Sequence, residues 1–394
     1  MTGRAVAIVG GASVKFGVRA ATWAELAQEV GAALFRAVPE LRAADVDSLF
    51  VGAAEPERFA FQSHVAPLAA EQMGLTPTRI LQRTELACAS GQSAIRSAYA
   101  AIAAGLSDVA VAVGVEKMNL PSMAEANTSM GCVMDRPWDG PHGATAPPFF
   151  AMVAQRHMHE FGTTDEQLAA VSEKNHRFAN TNPMAQFYDK TFSREKLMRL
   201  PLIAPPLKLG DCSAMTDGAA AVVLAAEDRV KRYTSTPAWI RGTGQYSDFH
   251  NLANAGSLTE WVGLERAARE ALGRAGIGIR DIDVAEIHDC FTISEIVEYE
   301  SLGLCPKGEG GRFAADGRGA VGGDLVVNPR GGLLGCGHPL GATGISQALE
   351  IYQQLGRTVP AARQAPEPTW GLVHNLSGSA NVHSVMVYGT EGPA

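Results

Sequence analysis

The chain has 394 residues, which is enough to bury a large core in two domains or in one large duplicated unit. Hydrophobic residues make up 46% of the sequence and charged residues 19%, a balance typical of a globular protein rather than a disordered one. The formal net charge of −8 argues against a general binding surface for nucleic acid or for an acidic membrane.

The cysteines and the N-terminus indicate a reducing compartment. Six cysteines are too few and too scattered for a disulfide scaffold in a chain of this length, and none forms a Cys-x-x-Cys pair. We therefore expect no zinc ribbon, no bound metal and no bound cofactor. The segment MTGRAVAIVGGAS has too short an apolar run for a signal peptide, and no apolar stretch is long enough for a membrane span. These features predict a cytoplasmic protein without membrane contact.

The N-terminal part of the chain predicts alternating strands and helices around one cysteine. Residues 4–12, 46–54 and 108–116 are apolar runs typical of buried strands, and apolar positions in 23–37 recur at helical spacing. After Cys88, further apolar residues at helical spacing predict another helix. Cys88 is therefore expected at a strand-to-helix turn.

The remainder predicts an insertion followed by a repeat of the same order of elements. Residues 117–206 contain clusters of Met, Pro, Asn and aromatic residues, which indicate a long insertion over one face of the protein. Residues 207–233 return to a core strand and a helix, and 234–394 repeat the alternation of strands and helices. We predict a duplicated α/β fold, with 1–116 and 207–233 forming the N-terminal half and 234–394 the C-terminal half.

Cys88, in the stretch ELACASGQSAI, begins a predicted helix. A thiolate at a helix N-terminus is stabilised by unpaired amide groups and by the helix dipole, which suits a nucleophile. Cysteine is also among the most often buried residues, so a small core side chain is the alternative interpretation.

His338 lies between Gly337 and Pro339 in the glycine-rich segment 328–355, just before a predicted helix. Glycines let the backbone approach a substrate closely, and proline restricts the residue before it. This pattern fits a catalytic histidine, and it fits equally a structural turn with a capping histidine.

The third stretch, EIHDCFTISEIVEYESLGLCP, has His288, Asp289 and Cys290 directly after a predicted strand. A second thiol beside a histidine suits proton transfer, because neighbouring groups can bring a cysteine pKa near neutrality. An ordinary strand end, with Asp289 capping the next helix, is the alternative.

These three stretches, in this order, resemble the thiolase superfamily over essentially the entire chain. GGLLGCGHPLGATG is similar to the G-H-P-x-G-x-(S/T)-G turn of thiolases, and DCSAMTDGAAAVVL resembles the segment that contacts coenzyme A. HDCF resembles the sterol-carrier-protein-type thiolases and the acetyl-CoA acetyltransferases of bacteria and archaea. Other thiolases have N-E-A-F there and a second cysteine near the C-terminus, where this chain has HNLSGSAN, consistent with Cys290 taking that role. The resemblance implies αβαβα layers duplicated in two pseudo-symmetric halves, each with a mixed five-stranded sheet.

The resemblance also implies a mechanism. A thiolase-type acyltransferase forms or cleaves 3-ketoacyl-CoA by Claisen chemistry through an acyl-cysteine intermediate. Cys88 would attack the thioester, His338 would take its proton, and Cys290 would remove or return the α-proton. Coenzyme A thioesters would be substrates and not bound cofactors.

Both steps develop negative charge on an oxygen and need donors placed in advance. By the same resemblance, His288 and His338 would face the enolate oxygen. The backbone amides of Cys88 and of Ser377 or Gly378 would face the acyl-enzyme oxygen.

The resemblance implies partners as well. Ser213 would lie along the pantetheine arm of coenzyme A, and Arg136 and Lys208 are candidates for its phosphates. We expect a homodimer or tetramer, and a small partner protein with a zinc ribbon and an OB-fold is a further expectation.

Three other functions are considered beside the thiolase. A retro-aldol lyase of sterol-type side chains does not need the nucleophilic cysteine, so Cys88 and Cys290 argue against it. A C-acyltransferase acting on an aromatic ring keeps Cys88 but needs no base that forms an enolate, so Cys290 argues against that function. A non-enzymatic lipid-binding or scaffold protein predicts that acyl-CoA does not label Cys88.

Overall fold

The computed structural model describes residues 3–120 and 122–393. The strands in these residues are β1 (Val6–Ser13), β2 (Ser48–Gly52), β3 (Ile80–Thr84), β4 (Val109–Glu116), β5 (Leu202–Ala204), β6 (Leu207–Lys208), β7 (Gly218–Ala226), β8 (Ala238–Ser247), β9 (Val284–Glu286), β10 (Val326–Val327), β11 (Trp370–Ser377) and β12 (Val382–Gly389). The α-helices are α1 (Trp23–Ala37), α2 (Pro56–Phe59), α3 (Val65–Gln72), α4 (Ser90–Ala103), α5 (Met123–Met130), α6 (Ala146–Phe161), α7 (Asp165–Ala179), α8 (Arg194–Met198), α9 (Glu227–Val230), α10 (Val262–Ala275), α11 (Thr292–Ser301), α12 (Gly310–Ala315), α13 (Gly332–Cys336) and α14 (Leu340–Leu355). Within this part of the chain, every helix is too short or too polar to span a bilayer.

Ten strands form one mixed sheet in the order β10-β9-β11-β12-β8-β1-β7-β4-β2-β3. Its N-terminal and C-terminal halves have the same pattern, because in each half two parallel pairings are followed by two antiparallel ones. The halves join where β1 pairs with β8, with Ala7 opposite Trp239. The predicted α/β fold with duplicated five-stranded mixed sheets is confirmed. The structure adds that the two sheets share an edge and continue into each other.

The core is arranged in layers on both faces of this sheet. Val6 and Ile8 of β1 pack in a central core with α4 and α14, whereas Ala7 and Val9 pack with α1 and α3. The outer face of the C-terminal half packs against α10 and α11 in a third core. Strands covered on both faces have nearly continuous apolar sequences, which is why the sequence predicted them.

Residues 117–206 contain α5 to α8 and β5, and the helices make up about half of the segment. Side chains of α6 and α7 join the core of the C-terminal half. There the ring of Phe150 stacks on Phe291, with the ring centroids 4.5 Å apart. The insertion consequently packs directly against the segment that carries HDCF.

Helices α4 and α14 belong to different halves and approach each other at glycines. A Cβ atom on Gly91 would lie 2.5 Å from the carbonyl oxygen of Gly341, and one on Gly114 would lie within 3.0 Å of the same oxygen. The buried carboxylate of Glu116 accepts hydrogen bonds from the amides of Gly341, at 2.9 Å, and Ala54, at 2.7 Å. These contacts fix the first turn of α14 against the N-terminal half.

We predict that Gly114→Ala lowers the stability of the folded protein by about 1–3 kcal/mol, because the added methyl group collides with the backbone of α14. The fall in the thermal unfolding temperature, followed by calorimetry, measures this effect. Gly273→Ala in α10 is the matched control, since a Cβ atom there meets no described atom within 4 Å. It should stabilise the protein by up to about 1 kcal/mol through helix propensity. An unchanged unfolding temperature for Gly114→Ala would contradict the tight contact.

Candidate active site

Cys88 lies in a tight turn between β3 and α4. The preceding residue, Ala87, has a φ of 41°, which is unfavourable for a residue with a side chain. The turn is held by two hydrogen bonds: the hydroxyl of Ser90 donates to the carbonyl oxygen of Ala87 at 2.7 Å, and the amide of Ala87 donates to Glu85 at 2.6 Å. The strained turn directs the thiol into the site at the N-terminus of α4, as the sequence predicted for a strand-to-helix turn.

His338 occupies the turn between α13 and α14. Its backbone amide donates to the hydroxyl oxygen of Thr216 at 3.0 Å, and its ring Nδ1 lies 2.7 Å from the hydroxyl oxygen of Thr343. Because the Thr343 hydroxyl itself donates to the carbonyl oxygen of Pro339, at 2.9 Å, we assign the ring hydrogen to Nδ1. Nε2 then carries a free lone pair.

The structure brings Cys88, His288 and His338 together. The cysteine sulfur and one ring nitrogen of each histidine all lie within 4.8 Å of one another. The two rings are almost perpendicular, at 84°, with centroids 4.9 Å apart. Nε2 of His338 and both ring nitrogens of His288 are buried and have no hydrogen-bond partner among the described residues. Such unpartnered polar atoms in a buried site are available to a substrate.

Burial makes the resting site electrically neutral. It raises the pKa of Cys88 to about 12, and the negative charge of Glu55 adds to that rise. Burial also lowers the pKa of His338 to about 3, with a smaller contribution from the charge of Arg330. The pair therefore rests as thiol and neutral imidazole, and a proton moves between them only when the thiol reacts.

Two backbone amides favour the thiolate of Cys88. The amide of Cys88 itself and that of Gly378 both act on the sulfur and oppose the rise of its pKa. Gly378 follows Ser377 at the end of β11 and has a φ of 59°. A Cβ atom there would lie 2.6 Å from the side-chain oxygen of Asn381. Glycine is therefore required at the position whose amide faces the sulfur.

Cys290 and Ser213 lie side by side. The amide of Ser213 donates to the carbonyl oxygen of Cys290 at 2.9 Å. Burial raises the pKa of Cys290 well above its usual value. The Cys290 sulfur lies 3.7 Å from the hydroxyl of Ser294. At rest, Cys290 is a protonated thiol.

Asp289 has a structural role that differs from the helix cap considered above. Its carboxylate accepts hydrogen bonds from the amides of Leu333, at 2.7 Å, and Leu334, at 3.2 Å, and so caps α13 rather than α11. The amide group of Asn175 also donates to it, at 2.7 Å. Asp289 therefore positions the turn that leads to His338.

Apolar side chains form part of the surroundings of Cys88. Ala54, Phe59, Met118 and Leu340 are buried against it. This cluster forms an environment in which an acyl chain can be held beside the sulfur.

A separate cavity of about 330 Å³ adjoins the loop that carries Gly378. Its walls include Met134, Phe149, Met152 and Ser379. Most of these residues come from the insertion, so the insertion and the last loop together form this cavity.

The candidates for phosphate binding differ in their surroundings. The ammonium group of Lys208 pairs with Asp165 at 2.6 Å. Arg136 is exposed and makes no ion pair within the described residues. Of the two, Arg136 has the more available charge.

Sequence reasoning missed three polar side chains that hold the site. Thr343 lies five residues after His338 in GHPLGATG, and a hydroxyl at that spacing was a usable signal. Glu116 is a lone carboxylate at the end of an otherwise apolar strand, which was a weaker one. Thr216 lies in DCSAMTDGAAAVVL, but nothing in that segment indicates that the fold brings it to the backbone of His338.

The duplicated α/β fold sets a buried thiol against an imidazole from its other half, an arrangement that suits cysteine-dependent acyl transfer. Two family models match the chain: "Thiolase, N-terminal domain" over residues 6–228 and "Thiolase C-terminal domain-like" over residues 244–390. The chain belongs to the thiolase superfamily, and the thiolase-type acyltransferase function predicted from the sequence is confirmed.

Individual relatives agree with this assignment. An acetyl-CoA acetyltransferase of Methanothermobacter thermautotrophicus is 40% identical over 386 residues, covering 98% of this chain and 99% of that protein. Sterol carrier protein 2 of Oryctolagus cuniculus is 36% identical over 301 residues, covering 73% of this chain and 55% of that protein. Among solved structures, the Ltp2-ChsH2(DUF35) aldolase is 26% identical with a TM-score of 0.84, covering 99% of this chain and 98% of that one.

We predict that Thr343→Val slows the alkylation of Cys88 by iodoacetamide about 10- to 100-fold. Valine keeps the shape of threonine but cannot accept the Nδ1 hydrogen, so the ring loses the partner that keeps Nε2 basic. Peptide mass spectrometry measures the rate at Cys88 alone. Thr343→Ser retains the hydroxyl and should retain the rate. Equal alkylation rates in wild type and Thr343→Val would show that this hydrogen bond does not control the base.

Proposed function

We propose that the protein is an acyl-CoA thiolase of the acetyl-CoA C-acetyltransferase type, with Cys88 as the nucleophile. The observation that carries the proposal is the convergence of Cys88, His288 and His338 in one buried site. The free lone pair of His338 Nε2 suits a base that accepts the thiol proton.

In the first step, the Cys88 sulfur attacks the carbonyl carbon of an acyl-CoA thioester while His338 takes its proton. The tetrahedral oxyanion is stabilised by the amides of Cys88 and Gly378, which both act on the sulfur in the resting enzyme. The imidazolium then returns the proton to the departing coenzyme A thiolate. The acyl group remains on Cys88 beside its apolar neighbours.

In the second step, the Cys290 thiol passes its proton to His338, and the resulting thiolate removes the α-proton of the second acyl-CoA. His288 and the now protonated His338 donate to the enolate oxygen. The enolate carbon then attacks the acyl carbon on Cys88, the bond between that carbon and the Cys88 sulfur breaks, and the sulfur takes the proton from His338. In the reverse direction, the Cys290 thiol protonates the enolate that leaves. The raised pKa of Cys290 keeps it in the thiol form that cleavage requires.

We propose that the coenzyme A moiety approaches through the cavity beside the loop Ser377–Ser379. The apolar walls suit the pantetheine arm. Ser213, whose amide donates to the carbonyl oxygen of Cys290, is the proposed contact for the reactive end of that arm. Arg136 is the proposed contact for the phosphates, because its charge is exposed and makes no ion pair among the described residues.

We predict that intact-mass spectrometry after incubation with acetyl-CoA shows one acetyl adduct, which Cys88→Ala abolishes. Cys290→Ala should still form this adduct, because acylation does not need the second thiol. Its cleavage of acetoacetyl-CoA should fall by about 10²–10⁴-fold, the usual contribution of a positioned acid or base.

The matched control is Cys305→Ala, which removes another buried thiol. This variant should form the adduct and cleave acetoacetyl-CoA like the wild type. Loss of the adduct in Cys290→Ala would contradict the division of roles. Normal cleavage by Cys290→Ala would reject Cys290 as the acid. A wild type that forms the adduct but does not cleave acetoacetyl-CoA would favour acylation of an aromatic acceptor, and a wild type that shows neither would favour the retro-aldol lyase.

We further propose a homodimer formed through β3. This strand is at one end of the ten-stranded sheet, and Leu81 on it is 40% exposed. An open strand edge with an exposed leucine favours pairing with a second copy. The same strand leads into the turn that carries Cys88, so pairing would brace that turn.

We predict that Leu81→Asp converts the dimer to monomer, because a charged side chain on the edge opposes pairing. Light scattering after size-exclusion chromatography measures the mass. Val321→Asp is the control, since Val321 is similarly exposed at 41% in the C-terminal half. A monomeric wild type, or a dimeric Leu81→Asp variant, would reject this interface.

We also propose a DUF35-type partner and a cytoplasmic location. The structural relative named Ltp2-ChsH2(DUF35) aldolase supports the partner, because a neighbour of this fold is described with a DUF35 protein. All six cysteines are free thiols, and both proposed catalytic thiols must stay reduced, which supports a reducing compartment.

A further inference from the structure

Cys88, His288 and His338, at the centre of the site, are also residue types that bind metal ions. Their donor atoms, one sulfur and two imidazole nitrogens, lie within 4.8 Å of one another. Thiolate and imidazole are the ligands that Zn²⁺ prefers, and three protein ligands with an open fourth position form a common zinc geometry.

The lone pairs in this set are free to bind a metal. Nε2 of His338 and both nitrogens of His288 have no hydrogen-bond partner within the described residues. Nδ1 of His338 already donates to the hydroxyl oxygen of Thr343 at 2.7 Å. Metal-bound histidines almost always have such an outer partner, which fixes the tautomer and turns the other nitrogen to the metal.

A second buried histidine pair differs from the central site. His374 Nε2 lies 3.1 Å from His383 Nδ1, and His383 Nε2 lies 2.9 Å from the carbonyl oxygen of Ala380. His374 Nδ1 has no hydrogen-bond partner among the described residues and lies 3.5 Å from a carboxylate oxygen of Glu298. The central site is distinguished because donor atoms of three residues lie within 4.8 Å of one another there.

Only a small adjustment is needed for coordination. With zinc bonds of about 2.0–2.3 Å, tetrahedral donor atoms are about 3.3–3.6 Å apart. This separation is roughly 1 Å shorter than the 4.8 Å within which the three donor atoms lie. The ring of His288 can move without breaking a hydrogen bond, because neither of its nitrogens has one among the described residues. Rotation of this ring is therefore the least costly way to close the site.

We propose that Cys88, His288 and His338 form a three-ligand site for Zn²⁺ that is available whenever Cys88 carries no acyl group. On binding, the thiol releases its proton to solvent, a zinc–sulfur bond and two zinc–nitrogen bonds form, and water takes the fourth position. The functional consequence rests on the proposed acyl transfer: zinc blocks the nucleophile, and acylation of Cys88 excludes zinc.

Cobalt(II) titration of the purified full-length protein tests the site without relying on activity. We expect one equivalent of Co²⁺ to give a thiolate-to-cobalt charge-transfer band that Zn²⁺ displaces. Calorimetric titration with ZnCl₂ should show that Cys88→Ala and His288→Ala each lower the affinity by at least about 100-fold, the upper end of the loss on removing an outer partner. Cys132→Ala, which removes a half-exposed thiol elsewhere, should leave the affinity unchanged.

Absence of the charge-transfer band, or zinc binding that Cys88→Ala leaves unchanged, would overturn the proposal. Alkylation of Cys88 with iodoacetamide should abolish the band. A separate assay follows acetoacetyl-CoA cleavage, which Zn²⁺ should inhibit and a chelator restore. A cobalt band in a protein without cleavage activity would support the metal site while rejecting the proposed function. Cleavage activity in a protein that gives no cobalt band would support the proposed function and reject the metal site.

Discussion

The close approach of α4 and α14 is the constraint on which the site depends. Gly91 and Gly341 remove the Cβ atoms that would otherwise separate the two backbones, and Gly114 does the same on the adjoining strand. Each helix belongs to a different half of the sheet, so this contact also sets the two halves relative to each other. Cys88 precedes one helix and His338 precedes the other. Their distance is consequently fixed by rigid elements, and no flexible loop has to align them.

Burial determines the charge state of the site. The same desolvation that raises the pKa of Cys88 and Cys290 lowers the pKa of His288 and His338, so all four side chains favour their uncharged forms. A thiolate–imidazolium pair is therefore costly in the empty site. The amides of Cys88 and Gly378 reduce this cost at the sulfur, where charge develops during attack. In the reaction we propose, such a site separates charge only as the substrate reacts, which would protect the Cys88 sulfur between turnovers.

The duplicated fold could be predicted because buried strands have apolar runs and amphipathic helices have a clear period. The predicted helix at 23–37 is the observed Trp23–Ala37. The strand before Cys88 was implied by the predicted strand-to-helix turn, but the bounds of β3 were not predicted, because Gln82 and Arg83 interrupt its apolar character at the exposed end of the sheet. Cys88, His288 and His338 stood out in motifs, but the contact made by Thr216 did not, although Thr216 lies in DCSAMTDGAAAVVL. Its contact with His338 joins positions 122 residues apart, and a single sequence contains no signal for such a contact.

The insertion is part of the catalytic architecture rather than a separate cover. Asn175 of α7 donates to Asp289, at 2.7 Å, and to Glu295, at 2.8 Å. Asp289 in turn accepts the amide of Leu333 and caps α13, the helix that leads into His338. One buried carboxylate thus joins the insertion, the HDCF turn and the glycine-rich turn. Each hydrogen bond to a buried carboxylate offsets part of the free-energy cost of burying its charge. Loss of one of the three donors to Asp289, which are Asn175, Leu333 and Leu334, therefore weakens the hold of the carboxylate on the other two. These three regions of the sequence are therefore coupled, and a change in α7 is transmitted to His338 without contacting it.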